Sequence, residues 1–303
     1  MKHLLKLMDW STKEITEVLN LADQLKFEKK NGIEHHHLKG KTLGMIFSKS
    51  STRTRVSFEV GVHELGGNPL YLDSTKMQLG RGETVSDTAN VLSRYLHGIV
   101  IRTFSQADIE ELAKVATIPV INALTDDYHP CQILADLFTI KEYSKTLDVK
   151  CVFIGDGASN IANSLMLGAK LTGMKMVIAS PREYAPSAAI LKECAPYVEW
   201  CEDPSEAIKG ANYVYTDVWV SMGFEEERAK RLATLAPYQV NKDLMAKAAK
   251  DVKFLHCLPA HRGEEVSADV MDDSNMSIVF DEAENRLHVQ KAVMTMIYRN
   301  LAK

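Results

Sequence analysis

Short apolar bursts alternate with longer stretches of helical periodicity along almost the whole chain. The bursts cover residues 42–47, 98–102, 119–123, 151–154, 176–179, 213–218, 253–256 and 277–280, each bounded by Gly, Pro, Asp or a charged residue. Continuous apolar runs, rather than strict alternation, predict strands buried on both faces of a parallel sheet. Helical periodicity fills residues 11–28, 54–65, 84–96, 108–116, 132–143, 160–171 and 241–249, and a last helix is predicted from about residue 283 onward. The alternation predicts an α/β fold: two doubly wound parallel-sheet domains with helices on both faces, joined by linker helices. The pattern restarts at Cys151 after the long helix that follows Pro130. That places the domain boundary inside this helix, with residues 1–135 in one domain and 136–285 in the next. The C-terminal helix, residues 286–303, is expected to pack back on the first domain.

A length of 303 residues fits two domains of ordinary size. Lys+Arg 36 against Asp+Glu 40 gives a net charge of −4, with both signs interleaved, which disfavours a nucleic-acid binder. No apolar run reaches the roughly 18 residues of a spanning helix. Lys6 and Asp9 interrupt the short apolar opening, which argues against a secretory leader. The five cysteines form no CxxC pair and cannot all pair with one another. Free thiols in a reducing cytoplasm are the expectation. These features describe an enzyme-like, two-domain, cytoplasmic protein.

Candidate chemistry concentrates in the loops that follow the strands, because ligands of such sheets sit beyond the strands' carboxyl ends. After the first strand the chain reads Ser48-Lys49-Ser50-Ser51-Thr52-Arg53-Thr54-Arg55 and then enters an amphipathic helix. Hydroxyls, guanidiniums and the unpaired N–H groups of a helix start together suit a phosphate. N-capping with solvated arginines is the plainer reading, but it accounts for one hydroxyl and not the cluster. The segment lacks GxxxxGK[ST], so a nucleoside triphosphatase is disfavoured.

Ser51-Thr52-Arg53-Thr54-Arg55 resembles the carbamoyl phosphate signature of the aspartate/ornithine carbamoyltransferase family. Further motifs follow in the family's order: Arg102 after a strand, His129-Pro130-Cys131-Gln132, Asp217-Val218-Trp219-Val220-Ser221-Met222-Gly223, His256-Cys257-Leu258-Pro259 and Glu284-Asn285-Arg286. The last three are similar to those of the family's ornithine-using members. The resemblance implies that Ser51, Thr52, Arg53, Thr54, Gln78, Arg102, His129, Cys131, Gln132, Cys257, Leu258 and Arg286 hold carbamoyl phosphate. Within that set, Arg102, His129 and Cys257 lie at the reacting centre. It also implies a homotrimer, or a multiple of trimers, in which the Gly-rich loop around Gln78 reaches a neighbour's phosphate site. Arg286 would open the final helix.

The second half must then hold the amine. Asn160 stands where the turn after residues 151–154 enters a helix, at the place where a dinucleotide fingerprint carries glycine. The resemblance implies ornithine contacts from Asn160, Asp217, Ser221 and Met222. Many members have two adjacent asparagines at this turn, whereas this chain has Ser159 before Asn160. Cys257 ends a strand; an inert buried thiol and a covalent nucleophile are both readings of it. Neighbouring residues on a strand face opposite ways, which makes His256 a poor base for that thiol.

The implied reaction carries the carbamoyl group of carbamoyl phosphate to the δ-amine of L-ornithine, giving citrulline and phosphate, without a cofactor. Arg81-Gly82-Glu83 resembles members that work in arginine biosynthesis. Transfer to putrescine is the alternative; aspartate as acceptor, a nicotinamide dehydrogenase and a non-catalytic binding module rank lower. His35-His36-His37 reads as a solvated loop, because three consecutive histidines cannot face one ion in regular structure. No metal is expected.

Overall fold

The computed structural model of the protein describes residues 2–78, 82–220 and 225–301. The chain divides into two compact units, Met1–Phe138 with Glu284–Lys303, and Thr139–Ala283. The first unit runs α1 (Thr12–Lys30), β1 (Thr42–Phe47), α2 (Thr52–Glu64), β2 (Asn68–Asp73), α3 (Val85–Tyr95), β3 (Gly98–Arg102), α4 (Gln106–Val115), β4 (Val120–Leu124) and α5 (Pro130–Ser144). The second runs β5 (Lys150–Ile154), α6 (Asn160–Thr172), β6 (Lys175–Ala179), α7 (Ala188–Cys194), β7 (Val198–Cys201), α8 (Pro204–Ala207), β8 (Tyr213–Thr216), α9 (Arg228–Leu235), α10 (Lys242–Met245), β9 (Lys253–His256) and α11 (Ala268–Met271). The last helix, α12 (Val279–Leu301), begins in the second unit and ends in the first, as α5 does in the other direction.

Each unit carries one all-parallel sheet, ordered β2-β1-β3-β4 and β7-β6-β5-β8-β9. Both orders turn back on themselves, between β1 and β3 in the first and between β5 and β8 in the second. Helices leaving the two strands at such a reversal depart on opposite faces and open a crevice at their carboxyl ends. The expected doubly wound α/β architecture is therefore present in each unit. Strands β3 and β9 are buried almost throughout, which is why their apolar runs are continuous.

Two strands lie outside the predicted set. Strand β2, Asn-Pro-Leu-Tyr-Leu-Asp, is a half-exposed edge that carries Pro69; β7 is a four-residue edge. Edge strands tolerate proline and need no continuous apolar run, so neither announces itself. The burst at 277–280 is not a strand. Ser277 makes one isolated bridge to Phe254, and α12 starts at Val279 with Asp281 and Glu282 in its first turn, where acidic groups favour a helix start. Arg286 consequently sits in the third turn of this helix and does not open it. The stretch 241–249 shortens to the single turn of α10.

The histidine run also departs from expectation. His36 is exposed, but His35 is buried, with Nδ1 2.9 Å from Glu28 Oε2 and Nε2 3.1 Å from Lys291 Nζ. Lys291, itself fully buried on α12, donates to Glu64 Oε2 at 2.6 Å. A polar cluster beneath a helix is invisible to a local pattern. In the same region burial and the charges of Lys291, Lys26 and Lys29 push His288 down to about 3. The folded state thus keeps His288 neutral, while the unfolded chain protonates it near pH 6.5. Stability is lost as pH falls through 6.5, at a cost of about 2 kcal/mol from this group between pH 7 and pH 5. His288→Asn should remove that share of the acid destabilisation, read as a smaller Tm drop between the two pH values; an unchanged drop contradicts it.

Candidate active site

In the first unit the strand-order reversal lies between β1 and β3, and parallel register pairs Phe47 with Arg102 at their carboxyl ends. The loop after β1 is held there by Ser48 N–H donating to the Arg102 carbonyl at 2.8 Å. Ser51 caps α2, its Oγ accepting from Thr54 N–H at 3.2 Å, while its own hydroxyl proton remains available. Arg55 lies on the outer face, bonded to Glu59 and stacked 3.8 Å over the Tyr71 ring, as the plainer reading of that arginine had it.

Thr54 is buried, and its Oγ1 accepts from Arg286 Nη2 at 3.0 Å. The other arm of the same guanidinium donates to Gln132 Oε1 at 2.5 Å, and Gln132 Nε2 donates to Asp136 Oδ1 at 2.8 Å. One buried fork thus joins the start of α2, the start of α5 and α12. His129 immediately precedes α5, and its carbonyl accepts the N–H groups of Gln132 and Ile133. Burial, followed by the Arg286 and Arg102 charges, holds the His129 imidazole well below the ordinary histidine value. It is a neutral ring, able to donate one N–H. Cys131 turns the other way: its buried Sγ donates to the Asn122 carbonyl at 3.4 Å, and burial pushes the thiol up to about 12. Any part Cys131 takes in ligand binding comes from its backbone.

The sequence reading missed Lys49. It is buried, ion-paired with Asp126 and 4.3 Å over the Phe104 ring, so it ties the loop after β1 to those after β3 and β4. Its position among the hydroxyls was the available signal. Arg53 and Gln78 are both exposed, and Gln78 is the last described residue before 79–81.

In the second unit the reversal lies between β5 and β8. Gly155 takes φ +140°, and the turn that follows ends with Ser159 capping α6 through Ala162 N–H at 3.2 Å. Asn160 is the first residue of that helix. Strands β8 and β9 pair Thr216 with His256, which sets the next residue of each side by side. Cys257 Sγ donates to Asp217 Oδ1 at 3.1 Å, and the same oxygen accepts Val218 N–H at 2.8 Å. Burial raises the Asp217 carboxyl, while His256, the Cys257 hydrogen bond and the Val218 N–H oppose the rise.

His256 is fully buried and engaged at both ring nitrogens. Nδ1 accepts from Leu258 N–H at 2.9 Å, which leaves the Nε2 proton for Glu265 Oε1 at 3.0 Å. It therefore shapes the Cys257-Leu258 backbone, in which Leu258 sits at φ +59°, and is not directed at the thiol. Glu265 lies nine residues away and carries no local sequence signal. Asp217, His256 and Cys257 bring donor atoms within 4.8 Å of one another, but His256 has no nitrogen to spare for an ion. The predicted ligands Ser221 and Met222, with Gly223, lie outside the described residues.

Residues 2–142 match the aspartate/ornithine carbamoyltransferase carbamoyl-P binding domain, and residues 147–297 match the Asp/Orn binding domain of the same family. The chain belongs to the aspartate/ornithine carbamoyltransferase family. An ornithine carbamoyltransferase of Oceanobacillus iheyensis is 55% identical over 98% of this chain and 94% of its own length. The ornithine carbamoyltransferase structure from Pyrococcus furiosus superposes with a TM-score of 0.92 at 50% identity, covering 97% of this chain and 96% of that one. An anabolic ornithine carbamoyltransferase from Campylobacter jejuni gives 0.93 at 39% identity, covering 99% and 100%. This family member is thus an enzyme, a carbamoyl group transferase. Among the described residues no helix is long and apolar enough to cross a membrane.

The thiol environments give a direct check. At pH 8 a thiol near 12 is ionised to only about one part in 10⁴, and the thiolate is the alkylated form. Iodoacetamide followed by peptide mass spectrometry should leave Cys131 unmodified in the folded protein and label it after unfolding. Labelling in the folded state at the unfolded rate would contradict its placement.

Proposed function

We propose that this chain carries the carbamoyl group of carbamoyl phosphate to the δ-amine of L-ornithine, releasing L-citrulline and phosphate. The observation that carries the reading is the buried Arg286 fork, bonded to Thr54 and Gln132 where α2 begins, with Arg102 and neutral His129 as its electrostatic neighbours. In this reading residues 1–135 with 286–303 form the carbamoyl phosphate domain, and 136–285 the ornithine domain. Ser51, Thr52, Arg53 and Thr54 offer hydroxyls, N–H groups at a 13-residue helix start and a guanidinium to the phosphate. Gln132 and Leu258 orient the carbamoyl group, and Cys131 contributes through its backbone.

The neutral δ-amine attacks the carbonyl carbon, and charge grows on the carbonyl oxygen. Arg102, His129 and Thr54 donate to that oxygen; a neutral imidazole does so without competing with the guanidiniums for the anion. The departing phosphate takes the amine proton. Asp217 accepts ornithine's α-ammonium, and Asn160, Ser221 and Met222 meet its other polar groups. Cys257 orients the amine; its thiol already donates to Asp217, which favours direct transfer over a covalent intermediate.

A biosynthetic role in arginine metabolism is supported by the likeness to an enzyme described as anabolic. We further propose a cytoplasmic homotrimer, with Gln78 reaching a neighbouring subunit's phosphate site. Exposed Val56 on α2, Leu70 on β2, and Val91 and Tyr95 on α3 support a buried interface on this unit.

Two measurements test the reading. Arg286→Gln should raise the carbamoyl phosphate KM about tenfold or more, since a charge-assisted bond to a buried site is worth about 1.5–3 kcal/mol. An unchanged KM would remove Arg286 from the site. Ornithine should exceed putrescine in kcat/KM by several orders of magnitude, because a site built for polar groups rejects analogues that lack them, by as much as ~10⁴–10⁵-fold. Parity between the two amines would move the chain to the diamine reaction.

A further inference from the structure

The two described residues proposed for ornithine in the second unit follow separate strands: Asn160 starts α6 after the turn that leaves β5, and Asp217 opens the segment that leaves β8. A single side chain holds both. Arg231, on α9, is buried, and its Nη1 donates to Asp156 Oδ2 at 2.7 Å and to the Trp219 carbonyl at 3.4 Å. Its Nε donates to Glu227 Oε2 at 2.9 Å, and its guanidinium lies 5.0 Å from the centre of the Tyr184 ring.

The contacts to Asp156 and to the Trp219 carbonyl bear on these two segments. Asp156 belongs to the turn that delivers Asn160: its Oδ1 accepts Ala158 N–H at 3.0 Å, and its carbonyl accepts Ser159 N–H at 3.2 Å. Trp219 stands two residues beyond Asp217, and its buried ring packs with Tyr184 and Leu235. The turn and the tryptophan are already in close contact. A Cβ on Gly155 would lie 3.6 Å from the indole Nε1 and 3.5 Å from Thr216 Oγ1. Arg231 closes this arrangement with charge: it pairs the partly buried Asp156 carboxylate and holds the Trp219 carbonyl, two residues beyond Asp217. Buried ion pairs add little net stability but specify geometry, and removing one partner leaves the other charge uncompensated.

We propose that Arg231 is a positioning residue that sets specificity for the α-amino-acid end of the acceptor, by holding the Asn160 turn and the Asp217 loop at a fixed separation. The proposal rests on the assignment of Asn160 and Asp217 to ornithine. Arg231 itself touches neither the carbamoyl donor nor the δ-amine in this reading, so its loss should act on one end of one substrate.

L-Norvaline, which is ornithine without the δ-amine, probes that end alone as an inhibitor competing with ornithine. In Arg231→Gln the ornithine KM and the norvaline Ki should rise together, about tenfold or more. The carbamoyl phosphate KM should stay within twofold, and kcat at saturating ornithine within about threefold. Arg231→Lys, which keeps the charge but not the fork, should fall between the two. Asp156→Asn should shift the same constants and add little to Arg231→Gln. A norvaline Ki within twofold of the parent, or an equal rise in the carbamoyl phosphate KM, would overturn the proposal in favour of a purely structural arginine. If Arg231→Gln does not fold, Arg231→Lys and Asp156→Asn are judged by the same constants. A parent enzyme that neither uses ornithine nor binds norvaline faults the substrate assignment instead, and is recognised before any variant is made.

Discussion

The reversal of strand order is the constraint on which both candidate sites depend. In the first sheet it sets the ends of β1 and β3 side by side, so that Phe47 pairs with Arg102 and the loop from 48 to 51 hangs on the Arg102 carbonyl. In the second it sets the ends of β5 and β8 together, which brings the Asn160 turn next to the Asp217 loop. Neither neighbourhood requires special residues in the strands themselves. Parallel pairing and right-handed crossovers produce the crevice, and the loops then fill it with chemistry. This explains how largely apolar strands, which contribute Arg102 at the end of β3, still dictate where the polar groups of the loops lie.

Charge within the first unit is organised around burial. A guanidinium buried at Arg286 is costly unless hydrogen-bonded, and Thr54 and Gln132 supply the bonds. The Arg286 charge acts on its surroundings. Its effect is visible on His129, which is held neutral partly by Arg286 and Arg102. The same field opposes, without overcoming, the burial that raises the Cys131 thiol. A site tuned in this way suits an anion that arrives with two charges and leaves with them, while a neutral donor waits at the carbonyl.

The architecture was legible because strands buried on both faces write continuous apolar runs, and the motif residues were legible because they fall in loops after those strands. Edges were not: β2 is half-exposed and opens Asn-Pro, so nothing local separates it from a loop. The residues 277–280 misled for the opposite reason. Ile278 and Val279 are buried by tertiary contacts, but Asp281 and Glu282 commit the segment to a helix start. Supporting groups were the least legible. Lys49, Glu265, Arg231 and the pair Lys291–Glu64 each work through a partner distant in sequence, and an amphipathic pattern records none of these pairings. His35 shows the limit most plainly, since its partner Lys291 lies 256 residues further on.

The register of β8 against β9 carries a mechanistic consequence. With Thr216 opposite His256, Asp217 and Cys257 emerge together, and the thiol spends its proton on the carboxylate. A thiol that donates to a carboxylate is held in its protonated form, and the protonated form is the poor nucleophile. The imidazole that could have ionised it lies one residue back on the strand and is committed on both sides, to Leu258 N–H and to Glu265. Activation of Cys257 would require breaking one of those buried bonds and reversing the Asp217 contact. Orientation requires neither, because the proton stays on sulfur, directed at Asp217, and no thiolate has to form. The geometry therefore favours a cysteine that directs the acceptor amine, with the bond to the carbamoyl carbon formed by that amine alone.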